Sequence, residues 1–262
     1  QGWMAYEAGA FKGSPMVPGV MTMFTPYDCP NVLVEGFDVV VNKSKVAAYR
    51  APGAPQAEYA AEMVINELAE KLGLDPIELR LKNAAKEGTQ TIYGPKLKRV
   101  GLIECLEAAK NSPHYQSVLP KGQGRGLSAG FWFNVGGQSS VTVNMNPDGT
   151  GTIVEGSPDI GGSRASMQMM AAEVLQIEPK NLKPIIADTE NLPYSQGTGG
   201  SRTTFATGMA VIEASEKVVA QVKERAAAVW NVTAEQVEYC DGVARNIAGE
   251  DSMTLAEVCK SA

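Results

Sequence analysis

One histidine, His114, is all the imidazole that the 262 residues contain. That excludes a two-histidine zinc protease helix and most imidazole metal centres, and leaves His114 as the only base for a Ser-His-Asp triad. Cysteine is scarce as well. Cys29, Cys105, Cys240 and Cys259 form no C-x-x-C pair, which argues against a zinc or iron–sulfur site. Their scatter reads as reduced, mostly buried thiols in a cytoplasmic protein. No apolar run approaches the roughly 20 residues of a membrane span, and no basic amphipathic stretch suggests a membrane surface. Lys+Arg 23 against Asp+Glu 29 gives a net charge of −6 with no basic run, so the footprint of a nucleic-acid binder is missing. There is no signal peptide, and residue 1 is Gln; the chain is expected to start after a cut or inside something longer.

What is present is an ordinary globular composition, 44% hydrophobic and 20% charged, in a length that suits one or two domains. Gly 27 and Pro 15 raise the share of turn residues above average. Periodicity breaks over residues 111–123, which read as a linker that holds His114.

Before the linker, Phe37 to Val41 reads as a strand. The loop Tyr49-Arg50-Ala51-Pro52-Gly53 leads into a helix of about 17 residues, with Ala60, Val64, Leu68 and Leu72 on one face. Gly73 closes it, and Asp75-Pro76 opens another short helix. Gly101 to Lys110 is a third. After the linker, alternation at Val141, Val143 and Met145, the turn Asn146-Pro147-Asp148-Gly149 and Ile153-Val154 predict a hairpin. Asp159 to Arg164 precedes a helix that carries Met167, Met170 and Leu175. A strand at Lys183 to Ala187 leads through the long loop from Asp188 to Thr204 into a helix of about 20 residues. Thr233 and Thr254 are candidate helix caps. The fold class is mixed, α/β with α+β character.

Three loops share one design: Arg50 to Gly53, Gly161 to Arg164 and Gly199 to Arg202 each combine glycine with arginine ahead of a helix. Backbone N–H groups at a helix N-terminus attract anions, glycine lets a ligand approach the backbone, and arginine can fork two hydrogen bonds to a phosphate. One such loop is an ordinary turn; three point towards a large polyanionic ligand. None matches the Walker lysine loop or the dinucleotide G-x-G-x-x-G pattern. Asp159 can equally act as a cap, and Met167, Met169 and Met170 read as core filling.

The run Tyr49-Arg50-Ala51-Pro52-Gly53, then Asn66-Glu67-Leu68-Ala69-Glu70-Lys71-Leu72-Gly73-Leu74-Asp75-Pro76 and Ile77 to Asn83, resembles the molybdenum-binding subunit of the xanthine dehydrogenase and aldehyde oxidoreductase family, the molybdenum hydroxylases. Pro147-Asp148-Gly149, Asp159-Ile160-Gly161, Ala171 to Leu175, Ala187-Asp188-Thr189 and Gly199 to Thr204 continue the likeness in the same order. The resemblance implies a molybdenum–molybdopterin cofactor, which in the family is often extended to the cytosine dinucleotide form. Arg50, Ala51 and Gly53 would line its metal end. Gly161, Gly162, Ser163 and Arg164, with Gly199, Gly200, Ser201 and Arg202, would hold the pterin and phosphates, Ser201 through its hydroxyl. No protein side chain would ligate the metal. The implied activity is hydroxylation of an electron-poor carbon of a small molecule with oxygen from water. Iron–sulfur clusters and FAD would sit on partner chains.

Two departures qualify the likeness. Gly161-Gly162-Ser163 stands where the family usually has Gly-Gln-Gly, and the family's catalytic glutamate, in a Gly-Glu-Pro motif, has no counterpart here. The expected organisation is the second half of one molybdopterin-binding domain over residues 1–110, a linker over 111–123, and the first half of a second domain over 124–262. The partners would be the remaining segments or subunits. A rival reading is a non-catalytic scaffold half that binds cofactor phosphates for a partner chain.

Overall fold

The computed structural model describes residues 14–39, 42, 49–186, 190–192 and 194–262. The chain divides into two compact units, residues 1–132 and 133–262.

The first unit is helical: α1 (Met16–Thr22), α2 (Ala54–Leu72), α3 (Pro76–Asn83), α4 (Leu102–Lys110) and α5 (Pro113–Gln116). The punctuation expected from the sequence sets their ends. Gly73 takes the left-handed conformation at φ 64°, and the Leu74 N–H donates back to the Ala69 carbonyl, closing α2 as a glycine C-cap does. The Asp75 carboxylate accepts from the N–H groups of Ile77 and Glu78 at 2.7 and 3.2 Å, and Pro76 fills the first position of α3. Ile77, Ala84 and Leu106 form a core that Leu102, Tyr115 and Leu127 cover. Residues 113–116 of the expected linker are helical, and their neighbours are tied in: the Arg125 guanidinium donates to the carbonyls of His114, Tyr115 and Ser117.

Two expectations need correction here. The inward residues of α2 are Ala57, Ala61, Glu62 and Ala69, whereas Val64, Leu68 and Leu72 are 52%, 42% and 56% exposed. The apolar spacing is real, but α1, at seven residues, offers only about 10 Å of cover, against the first turns of α2. And Phe37 to Val39 belong to no strand ladder, because apolar alternation forms a strand only where a partner strand is at hand; residues 40 and 41 lie outside the described residues.

The second unit holds two three-stranded sheets. In the first, β1 (Val141–Met145) pairs antiparallel with β2 (Gly151–Glu155), Val143 opposite Ile153. The turn between them is the expected one: the Asp148 carboxylate accepts from the Thr150 N–H and hydroxyl. β2 then pairs parallel with β3 (Leu182–Ile186) through the crossover helix α6 (Ser163–Leu175). Ile153, Met167, Ala171, Leu175, Leu182 and Val211 form its core. Met170 packs against that core, and Met169 is exposed. After α7 (Gly208–Trp230), β4 (Val237–Cys240), β5 (Val243–Asn246) and β6 (Ser252–Thr254) make an antiparallel sheet beside α8 (Leu255–Lys260). Thr233 and Thr254 each close a capping box, as their positions suggested.

The cysteines depart from the expectation of burial. Cys29 and Cys105 are exposed, and Cys240 and Cys259 are half-buried. No described helix is long and apolar enough to cross a membrane.

Candidate cofactor-binding loops

Two of the three glycine–arginine loops meet in the second unit, and the parallel strands explain why. β2 and β3 run the same way, so the chain leaves both at one edge of the sheet. In α/β proteins ligands bind outside the carboxyl ends of parallel strands. From β2 the chain passes through Asp159-Ile160-Gly161-Gly162 into α6. The chain beyond β3 reaches α7 through Gly199-Gly200-Ser201-Arg202 and a π-helical turn, Thr203–Thr207; Ala187, Asp188 and Thr189 lie outside the described residues.

A line of buried polar groups joins the two loops. Glu155, at the end of β2, accepts from the Ser157 N–H at 2.6 Å. Ser157 and Thr207 share a hydroxyl hydrogen bond of 2.8 Å, and Thr207 and Ser139 one of 3.1 Å. Ser139 accepts from the Arg202 guanidinium. Burial pushes the Glu155 carboxyl up from the usual carboxylate range, the Ser157 N–H acting the other way.

Arg202 is not free to fork onto a phosphate. It is 1% exposed, and it donates to the carbonyls of Gly136, Gln138 and Gln196 at 3.3, 2.7 and 2.6 Å as well as to Ser139. Four of its five N–H donors are thereby engaged within the protein. Arg202 clamps residues 136–139 against residues 196–202. Backbone bonds from Val135 to Gly200 and from Gln196 to Gln138, both 2.9 Å, run alongside. An added Cβ at Gly200 would lie 2.4 Å from Val135, so glycine is required there for close packing of the two segments.

The other arginines differ. Arg164 is half exposed and pairs with Asp159 at 3.2 Å; the Arg164 N–H also donates to Asp159 at 3.1 Å and holds that carboxyl below its usual range. The Asp159 carboxylate thus serves the first turn of α6, whose N-cap position is Gly162. Ser163 is buried, accepting from the Ile160 N–H. Arg50 is exposed in the first unit, ahead of α2. There Gly53, at φ 88°, packs so tightly on α1 that an added Cβ would lie 1.9 Å from the Pro15 carbonyl.

Do these loops fit an anionic cofactor gripped by backbone amides? The strain is concentrated where such a grip requires it. Six non-glycine residues among the described residues have positive φ. Gln176 and Asn231 end helices, and Asp241 turns the β4–β5 hairpin. The remaining three, Arg50, Ala51 and Ser201, all lie in the predicted loops, and strain of this kind collects at ligand sites. The N–H groups of Gly161, Gly162, Gly200 and Ser201 donate to no partner among the described residues. A Cβ on Gly161 or Gly162 would meet nothing, so that loop is open to a ligand. No cluster of three His, Cys, Asp or Glu among the described residues could hold a metal ion. The loops fit such a cofactor.

Sequence reasoning missed residues 135–139, Glu155, Ser157 and Thr207. The pair Gly136-Gly137 was the available signal, obscured because no helix follows it.

Two family profiles described as molybdopterin cofactor-binding domain match residues 3–84 and 104–262. The aldehyde oxidoreductase of Megalodesulfovibrio gigas is 32% identical over 209 residues, 74% of this chain and 23% of the relative. The xanthine dehydrogenase molybdenum-binding subunit of Escherichia coli O157:H7 is 29% identical over 199 residues, 68% of this chain and 26% of that one. Among solved structures, the aldehyde oxidoreductase of Desulfovibrio desulfuricans aligns with a TM-score of 0.68 at 31% identity, over 78% of this chain and 24% of that chain. Quinoline 2-oxidoreductase of Pseudomonas putida 86 aligns with a TM-score of 0.72 over 86% and 32%; at 22% identity it speaks for the fold alone. The chain spans about a quarter of the length of the curated relatives it matches. It belongs to the molybdenum hydroxylase family of xanthine dehydrogenases and aldehyde oxidoreductases, as part of its molybdopterin cofactor-binding region.

Proposed function

We propose that the chain supplies cofactor-holding loops to a molybdenum hydroxylase. When bound, the molybdenum–molybdopterin group would supply the oxidation chemistry that places oxygen from water on an electron-poor carbon of a small molecule. This chain's share is to bind and orient that group. The carrying observation is the set of N–H groups at Gly161, Gly162, Gly200 and Ser201 that find no partner among the described residues, together with strained backbone at Ser201 in the second unit and at Arg50 and Ala51 in the first. Amide donors that need no rearrangement suit a pterin and its phosphates. Arg50, Ala51 and Gly53 line the metal end. Gly161 to Arg164 and Gly199 to Ser201 hold the pterin side, Ser201 with its hydroxyl; Arg202 shapes that loop from beneath.

The same reading takes residues 1–110 and 124–262 as halves of two adjacent domains, joined over 111–123. It places the catalytic glutamate, iron–sulfur clusters and FAD on other segments or subunits, the cofactor in its cytosine dinucleotide form, and the protein in the cytoplasm. One observation favours the scaffold alternative: position 162 is a glycine at φ 86°, with no side chain to reach a metal ligand.

The test is metal and pterin analysis of the complex purified through this chain. Stoichiometric molybdenum and pterin, lost on Gly161→Val together with Ser201→Pro while the second unit stays folded, is the expected result. Complexes with neither molybdenum nor pterin would overturn the reading. The 262 residues alone should show no hydroxylase turnover, and turnover would refute the assignment of the base to another segment.

A further inference from the structure

The buried polar line in the second unit has two charged ends. Arg202 stands at one and Glu155 at the other, each 1% exposed, with Ser139, Thr207 and Ser157 between them. Proton accounting gives the line a direction. A guanidinium only donates, so Ser139 accepts from Arg202 and has its own proton to give to Thr207 at 3.1 Å. Thr207 then donates to Ser157 at 2.8 Å. That leaves the Ser157 hydroxyl proton for the Glu155 carboxylate, already the acceptor of the Ser157 N–H. Each hydroxyl takes one bond and gives one, and the polarity runs from cation to anion. Because Arg202 does not release a proton, the line carries no net proton. Its work is to hold positions.

Thr207, the middle member, is where that work concentrates. It is fully buried, and its hydroxyl is bonded on both sides. Ser157 lies between β2 and the glycines at 161 and 162, whereas Ser139 belongs to the segment that Arg202 clamps against residues 196–202. The backbone at Thr207 is itself fixed. It ends a π-helical turn, a form that collects at functional sites. At the next residue, an added Cβ on Gly208 would lie 2.7 Å from the Met170 Sδ of α6, so α6 and α7 pack closely there. Thr207 thus ties both loops to one rigid point, the contact of α6 with α7.

We infer that Thr207 is a positioning residue for the cofactor: its hydroxyl sets the amides of Gly161 and Gly162 against those of Gly200 and Ser201, so that both loops hold one pterin group at once. The inference rests on the cofactor reading above and adds to it a coupling between the two loops. Without the hydroxyl each loop keeps its own donors, but a ligand gripped by one must draw the other into place.

The experiment compares the complex purified through this chain as wild type, Thr207→Val, Thr207→Ser and Ser215→Ala. Ser215 is the control, a fully buried residue of α7 whose Oγ has no partner among the described residues. Pterin fluorescence follows cofactor release after dilution, hydrogen exchange follows residues 156–162 and 196–202, and circular dichroism reads folding. Thr207→Val is expected to release pterin about tenfold faster and to speed exchange in both segments together. Thr207→Ser should restore both, and Ser215→Ala should match wild type. Wild-type release from Thr207→Val overturns the inference, as does a Thr207→Ser no better than Thr207→Val, faster exchange confined to one segment, or the same losses in Ser215→Ala. If Thr207→Val misfolds, Ser157→Ala, which cuts the line on one side of Thr207, is read in its place with the same expectations. A wild-type complex without pterin would sink the cofactor reading, and with it the role towards the cofactor, while the exchange results still decide whether Thr207 couples the loops.

Discussion

Glu58 and Glu62, one turn apart on α2, receive the N–H groups of Phe131 and Ala129 at 2.8 and 2.6 Å. Residues two apart in an extended chain span about 6.6 Å, close to the helical pitch of 5.4 Å, so both carboxylates can be served by one strap. The two acids are not equivalent. Glu62 is also held by Arg80 and by the Tyr27 hydroxyl, and burial, reinforced by Glu62, drives the Tyr27 hydroxyl upward. Glu58 has no cation beside it among the described residues, and burial raises its carboxyl from 4.5 to about 7. An acid whose folded value is raised favours the fold fully below pH 4.5, and that favour is lost as pH climbs through about 7. Glu58→Gln keeps an acceptor for Phe131 and removes the titration. Urea melts of the first unit should coincide at pH 4.5 and separate at pH 8, the variant being more stable by about 1 kcal/mol once the half-exposed position is discounted. A difference that stays flat across that range would contradict the account. Arg202 makes the opposite case, a cation whose work is to hold carbonyls. Arg202→Lys cannot reach the carbonyls of Gly136, Gln138 and Gln196 together, and each partly buried acceptor left unpaired costs about 1 kcal/mol. Hydrogen exchange should speed up in residues 135–139 and 196–202 together, with a loss of stability of about 3 kcal/mol in the second unit.

Among the elements, glycine separates fold from ligand. Gly53 and Gly161 are both at positive φ, but an added Cβ lies 1.9 Å from a backbone oxygen at Gly53 and meets nothing at Gly161. Gly53→Ala should therefore destabilise the α1–α2 pair by about 3 kcal/mol or more. Gly161→Ala should cost about 1 kcal/mol, the strain of a left-handed alanine, while lowering cofactor content; thermal melts set beside pterin fluorescence separate the two. Local chemistry of this kind was legible beforehand. Gly73, Asp75-Pro76, the Asn146–Gly149 turn, Thr233 and Thr254 each act within a few residues of themselves, and the structure has them acting there. The Asp241-Gly242 hairpin was equally local and went unread, and with it β4 to β6. Pairing and covering depend on distant segments. Nothing near Phe37 says whether a partner strand exists, and nothing near Leu68 says how far α1 reaches. The burial of Arg202 follows from carbonyls over 60 residues away, so its sequence position at the foot of a helix suggested a ligand contact where the structure has a clamp.

For the molecule as a whole, the scarcity of histidine and cysteine determines how metal can be retained. The described residues contain no cluster of three metal-binding side chains, the one histidine lies in α5, and two cysteines are exposed while two are half-buried. On the proposed function, a molybdenum ion would be held through its organic ligand, and its retention would follow the affinity of the loops for that ligand. Side-chain metal sites lose their ion when protonation or a chelator competes for the ligands. Here the amide donors at Gly161, Gly162, Gly200 and Ser201 do not titrate, so acidification towards pH 5 or an excess of EDTA at neutral pH should remove no molybdenum from the purified complex. Weakening the amide grip by Ser201→Pro, which fixes φ near −65° where the loop needs +60°, should release molybdenum and pterin together in a one-to-one ratio. Elemental analysis and pterin fluorescence on the same fractions check this, and metal leaving while the pterin stays bound would show that a protein side chain ligates it after all.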